Sequence, residues 1–75
     1  MGDDKLNIKE ISDYLECSEY AINYLIKAKQ IPYDIISSKV IFDKNIIDRW
    51  IYDNQISKIE VIDNRVIVYT YNIIP

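Results

Sequence analysis

The sequence predicts a small α+β domain, mainly α: three short helices, a tight β-hairpin between the second and third, and an added C-terminal β-hairpin. Three observations carry that expectation. Apolar residues recur at helical spacing in three stretches, each preceded by Asn7, Ser18 or Asp43, whose short polar side chains cap helix starts. Two β-prone runs flank Ser37-Ser38, and two more alternate with a period of two around Asp63-Asn64. The chain has 75 residues, 49% of them hydrophobic, which suits one domain with one modest core.

The first helix is expected over 8–16. Asn7 caps it, Glu10 completes a capping-box spacing, and Ile8, Ile11 and Leu15 form its inward stripe. Ser18 restarts the pattern for a second helix over 18–29, with Ala21, Ile22, Leu25 and Ile26 turned inward. Only a short connection around Cys17 separates the two stripes, so the helices must turn sharply, as in a helix-turn-helix. Pro32 closes this region. Residues 33–36 and 39–42 then read as the two strands of a tight hairpin. Asp43 caps a third helix ending near Asn54, with Ile46, Ile47, Trp50 and Ile51 on its apolar face and Trp50 in the core.

Pairing outward from Asp63-Asn64 sets Val61 opposite Val66 and Ile59 opposite Val68 on one apolar face. Glu60 with Ile67, and Lys58 with Tyr69, fall on a half-wet face. An isolated hairpin is marginal in water, so the apolar face must dock on the helices or on another chain, and Val61→Asp should then unfold the domain or split an oligomer. Residues 6–54 are expected to form the main unit, with 57–73 as the hairpin extension.

Several function classes fall away on composition. The chain contains no His, and Cys17 is its single Cys, so neither a zinc-ligand cluster nor an internal disulfide is expected. Cys17 reads as a small buried hydrophobe. The one Gly is Gly2, which leaves no Gly-rich phosphate loop, and the carboxylates fall mainly on caps and solvated faces. No enzymatic activity, cofactor or metal is expected. The acidic opening Met1-Gly2-Asp3-Asp4-Lys5 lacks the apolar stretch of a signal peptide, Asp3 and Leu6 do not complete a myristoylation pattern after Gly2, and no apolar run is long enough to span a bilayer. These readings lead to the expectation of a soluble cytoplasmic protein without a membrane partner.

The stretch Leu6-Asn7-Ile8-Lys9-Glu10-Ile11-Ser12-Asp13-Tyr14-Leu15 resembles the opening of excisionase-type and MerR-like winged helix-turn-helix domains. The likeness continues through Cys17-Ser18, Ala21-Ile22-Asn23-Tyr24-Leu25-Ile26-Lys27 and Gln30-Ile31-Pro32, and closes on Ile47-Asp48-Arg49-Trp50-Ile51. It covers about two-thirds of the chain, from Leu6 to about Tyr52. The resemblance implies a small DNA-binding protein, an accessory factor in DNA recombination or a regulator of transcription. The second helix would enter the major groove, and the hairpin over 33–42 would serve as a wing on the phosphates. Where such domains carry Gly at the end of that helix, this chain has Lys29. A side chain there must accept positive φ or end the helix differently.

A helix in the major groove presents its N-terminal outward side chains to base edges. Here these are Glu19, Tyr20 and Asn23, with Tyr24 and Lys27 further along; Lys39 is the single cation of the expected wing. Asn23 suits an adenine edge and Glu19 a cytosine amino group. Tyr20 and Tyr24 can donate to phosphate, the resemblance placing Tyr24 on a backbone-contacting Tyr, and Lys27 and Lys39 are natural phosphate partners. The same set would equally suit an ordinary solvated helix face, and Glu19 is favourable against the helix dipole whatever the helix touches. The net charge of −3 is unusual for a nucleic-acid binder. Acidic residues crowd the first helix, whereas Lys27, Lys29, Lys39 and Lys44 outnumber Glu19, Asp34 and Asp43 in the middle. Double-stranded DNA is thus the expected partner, with self-association or a protein partner through the C-terminal hairpin. The alternative is a protein-binding module on a winged-helix scaffold that has lost or weakened DNA binding.

Overall fold

The computed structural model describes residues 4–71. Among them are three helices and two small antiparallel sheets, in the order β1 (Lys5–Leu6), α1 (Ile8–Tyr14), α2 (Glu19–Lys27), β2 (Asp34–Ile36), β3 (Lys39–Asp43), α3 (Lys44–Asp53), β4 (Ile56–Ile62) and β5 (Arg65–Thr70). The expected opening at Met1 to Asp3, and positions 72 and 73 of the expected hairpin, lie outside the described residues. No helix among the described residues is long and apolar enough to cross a membrane.

Each helix starts where the sequence places a cap. The Asn7 backbone N–H donates to Glu10 Oε1 at 2.9 Å, and the Glu10 N–H donates to Asn7 Oδ1 at 2.8 Å, closing the capping box. Ser18 Oγ accepts from the Ala21 N–H at 3.1 Å, and Asp43 Oδ1 accepts from the Asn45 and Ile46 N–H groups at 2.9 and 3.4 Å. Asp43 also pairs with Lys5 across β1 and β3 at 3.1 Å. That ammonium, together with the two amides, holds the Asp43 carboxyl below its usual range.

The helix ends differ from expectation in a consistent way. α1 and α2 each close about two residues earlier than predicted, because the chain swings into the left-handed region at Glu16 (φ 56°) and Lys29 (φ 57°). Gln30 N–H donates to Leu25 O at 2.9 Å and Lys29 N–H to Ile26 O at 3.0 Å; Cys17 and Glu16 repeat the pattern on Ser12 O and Asp13 O at 3.0 and 3.2 Å. These are Schellman closures, whose left-handed residue is most often Gly. Gln55 (φ 53°) is also left-handed after α3, where its N–H donates to Tyr52 O at 3.2 Å. The side chain at Lys29 therefore accepts the strained geometry, and the reversal returns Ile31 to the core.

Both hairpins turn through paired left-handed residues, Ser37 and Ser38 (φ 53° and 65°) and Asp63 and Asn64 (φ 51° and 64°), the geometry that matches the twist of the flanking strands. The first hairpin is part of a three-stranded sheet in the order β1-β3-β2. β1 was not foreseen: two residues leave no periodicity, and Leu6 opposite Phe42 is a long-range pairing. In the second sheet the expected pairs form, Val61 with Val66, Glu60 with Ile67, Ile59 with Val68 and Lys58 with Tyr69. A bulge at Ser57 shifts the register before Ile56 meets Thr70, and Ser57 Oγ donates to Tyr69 O at 3.3 Å.

One core unites all of this. Ile11, Ala21, Ile22, Leu25, Ile31, Phe42, Ile47, Ile56 and Ile59 are buried together. Val66 and Val68 pack against them, so the second hairpin docks within the chain, on α2 and α3. Three expectations need adjustment. Val61 is 38% exposed, because the buried part of the hairpin ends at Ile59 and the strands beyond it are less covered. Trp50 and Cys17 are half-buried at the margin of the core, not enclosed by it, and burial pushes the Cys17 thiol up.

Lys29→Gly relieves the left-handed strain and is expected to stabilise the domain by about 1 kcal/mol, a rise of about 4–8 °C in melting temperature. Ile59→Asp places a charge in the core and should abolish cooperative urea unfolding, whereas Val61→Asp should cost about 1 kcal/mol or less. Equal effects of the two would contradict the docking of the hairpin base.

Candidate nucleic-acid interface

The inward stripe of α2, Ala21, Ile22 and Leu25, is consumed by the core, which leaves the opposite side to solvent. Glu19, Asn23 and Lys27 form one row at i, i+4 and i+8, flanked by Tyr20 and Tyr24. All five are exposed, Tyr20 by 51% and Tyr24 by 44%. The structure thus brings the five predicted helix residues onto one open face. Asn23 Nδ2 donates to Glu19 O at 3.1 Å, so its amide lies back along the helix and must swing out to meet a ligand. Glu19 sits in the first turn and Lys27 in the last, where each charge also complements the helix dipole.

Lys39 stands apart from this face. It is exposed at the start of β3, directly after the Ser37-Ser38 turn. Its connection to α2 runs through the core, where Val40 and Phe42 of the same strand pack with Ile22 and Leu25.

The second hairpin approaches α2 in a way that was not legible beforehand. Tyr20 Oη donates to Asn64 O at 3.1 Å, tying the hairpin turn to the first part of the helix. At the other end Ile56, Val68 and Thr70 line a groove of about 400 Å³ with Leu25, Gln30 and Trp50. The hairpin therefore runs alongside α2, with its base near the C-terminal end of the helix and its turn near the N-terminal end. The Asp63-Asn64 turn was readable and so was an exposed Tyr20; the bond joining them spans 44 positions.

Four of the nine cations are already engaged. Lys5 pairs with Asp43, Lys9 with Asp13 and Lys58 with Glu60, while Lys44 lies 5.0 Å from the centre of the Tyr14 ring. Tyr14 in turn donates to the Asp48 carboxylate, a bond that raises its phenol above the ordinary value. On the outer face of the second hairpin, the bond between Tyr69 and Glu60 raises the phenol and lowers the carboxyl, and Lys58 lies 4.8 Å from the Tyr69 ring centre. Among the described residues Lys27, Lys29, Lys39, Arg49 and Arg65 form neither an ion pair nor a cation–π contact. Arg65 carries no signal in the sequence beyond following a turn.

The Tyr20 contact has a direct test. Tyr20→Phe keeps the ring and removes the donor, and should lower the melting temperature by about 2–5 °C. Amide exchange at the Asp63-Asn64 turn should speed up in the same variant; unchanged exchange would show that the tie does not hold the turn in solution.

No family model matches the chain, and neither a curated protein nor a solved structure does. Its function is therefore read from its own residues.

Proposed function

We propose that this chain is a small DNA-binding protein with a winged helix-turn-helix arrangement, an excisionase-like accessory factor or a transcriptional regulator. The observation that carries this reading is the exposed face of α2, on which Glu19, Asn23, Tyr24 and Lys27 project beside Tyr20, whose hydroxyl is bonded to the β4–β5 turn. α1 and α2 share a core across a short turn, and the β2–β3 hairpin follows, an order compatible with a helix in the major groove and a wing beside it. Asn23 would read a base edge, Tyr24 and Lys27 would meet phosphate, and Lys39 would meet phosphate from the wing. Glu19 repels phosphate, so it faces a base amino group or the groove floor. The few free cations point to weak binding by one module, strengthened when copies bind side by side.

A second reading, a protein-binding module, is favoured by exposed Ile35 (61%), Ile46 (53%) and Ile36 (46%) on and beside the first sheet. Salt separates the two, since phosphate contacts weaken steeply with ionic strength and apolar contacts do not.

The experiment is a mobility-shift titration on duplex DNA across a salt series. Wild type is expected to bind at low salt. The double variant Lys27→Ala, Lys39→Ala should bind more weakly, with a log–log salt slope smaller by about 2. Wild-type binding no better than the double variant would reject this surface as the DNA interface.

A further inference from the structure

We infer that the second hairpin is a second DNA-contacting arm, presenting Arg65 to the phosphate rim beside the N-terminal half of α2. This inference rests on the DNA-binding reading of α2 and extends it to an element outside the winged part of the fold.

The bond from Tyr20 Oη to Asn64 O at 3.1 Å fixes the β4–β5 turn one tyrosine side chain away from the helix backbone. A helix with its side chains is about 10–12 Å across, and the major groove is about 12 Å wide. A helix seated in that groove fills it from rim to rim. Whatever is held at the flank of the helix, one side chain out, meets the sugar-phosphate strand that borders the groove. The hairpin turn occupies that position at the end of α2 whose side chains would reach the bases.

The chemistry at the turn fits a phosphate. Arg65 is the first residue of β5, next in sequence to Asn64, and is exposed. It pairs with Ile62 across the strands and forms no ion pair among the described residues. The other cation of the hairpin, Lys58, is held by Glu60 at 3.3 Å and by the Tyr69 ring, near the base. The hairpin thus neutralises its own charge at the far end and leaves a planar, multi-donor guanidinium next to the turn. The turn is also rigid: Asp63 and Asn64 are both left-handed, the base is anchored in the core by Ile56 and Ile59, and Tyr20 ties the tip. A cation held this way loses little freedom on binding. Asp63 opposes it, because its carboxylate stands in the same turn and repels the same phosphates.

That opposition supplies a two-sided test with the full chain. Arg65→Ala and Asp63→Asn change exposed turn residues, and Asn tolerates the left-handed conformation as Asp does, so thermal melts should show both folded. In the salt-series titration on duplex DNA, Arg65→Ala should weaken binding about five- to tenfold at low salt and reduce the slope by about 0.9. Asp63→Asn should tighten binding about twofold or more. If both variants bind as wild type does while the Lys27→Ala, Lys39→Ala variant weakens, the arm is refuted and the α2 interface stands. If wild type shows no salt-dependent binding at all, the DNA reading and the arm fall together.

Discussion

The burial of Ile56 and Ile59 beneath α2 and α3 is the contact on which the rest of the molecule depends. A two-stranded hairpin does not persist alone in water, and a helical unit of about fifty residues has little apolar surface to spare. Joining the two gives a single core in which Ile11, Ile22, Leu25, Phe42 and Ile47 are sealed from one side by Ile56 and Ile59. The same docking lays the hairpin along α2 and sets its turn beside Tyr20. The surface available to a ligand is therefore defined jointly by the helix and by a segment more than forty residues away in sequence.

The chain achieves its sharp reversals almost without glycine. Among the described residues, seven that bear side chains adopt positive φ, at the ends of all three helices and in both hairpin turns. Asp63 and Asn64 bear this at little cost, but Glu16, Lys29, Ser37, Ser38 and Gln55 bear it against their Cβ atoms. Such strain persists only where the surroundings over-determine it. Here they do: the backbone closures onto Ser12 O and Leu25 O, and the return of Ile31 to the core, hold the reversals in place. A small domain that carries this load has a thin folding margin, which makes the shared core more consequential.

Charge is organised by pairing more than by sign. Lys5, Lys9 and Lys58 are neutralised by neighbouring carboxylates, and Lys44 lies against the Tyr14 ring. What remains free among the described residues is Lys27 on α2, Lys29 just after it, Lys39 on the first hairpin, Arg49 on α3 and Arg65 on the second hairpin. The net charge of −3 alone argues against a nucleic-acid partner, whereas the placement of the unpaired cations argues for one. Exposed Ile35, Ile36 and Ile46 keep a protein contact in play on a different part of the surface.

Local chemistry determined the helix starts, the two hairpin turns and the strand register. Each is decided within a few residues: Asn7 with Glu10, Ser18 with Ala21, Asp43 with Asn45, and paired left-handed residues that set which side chains face each other. The outward set of α2 was legible for the same reason, since helical spacing and the apolar stripe leave only one solvent face. Tertiary structure alone decided the rest. The two-residue strand at Lys5–Leu6 exists only because Phe42 passes beside it. Val61 and Ile59 share a face, yet only Ile59 is buried, because alternation says which side points inward and not how far the helices extend beneath it. Tyr20 meets Asn64, and the turn that precedes Arg65 comes beside the helix, because the whole core closes around Ile56 and Ile59; spacing along the chain carries no information about a contact made by packing.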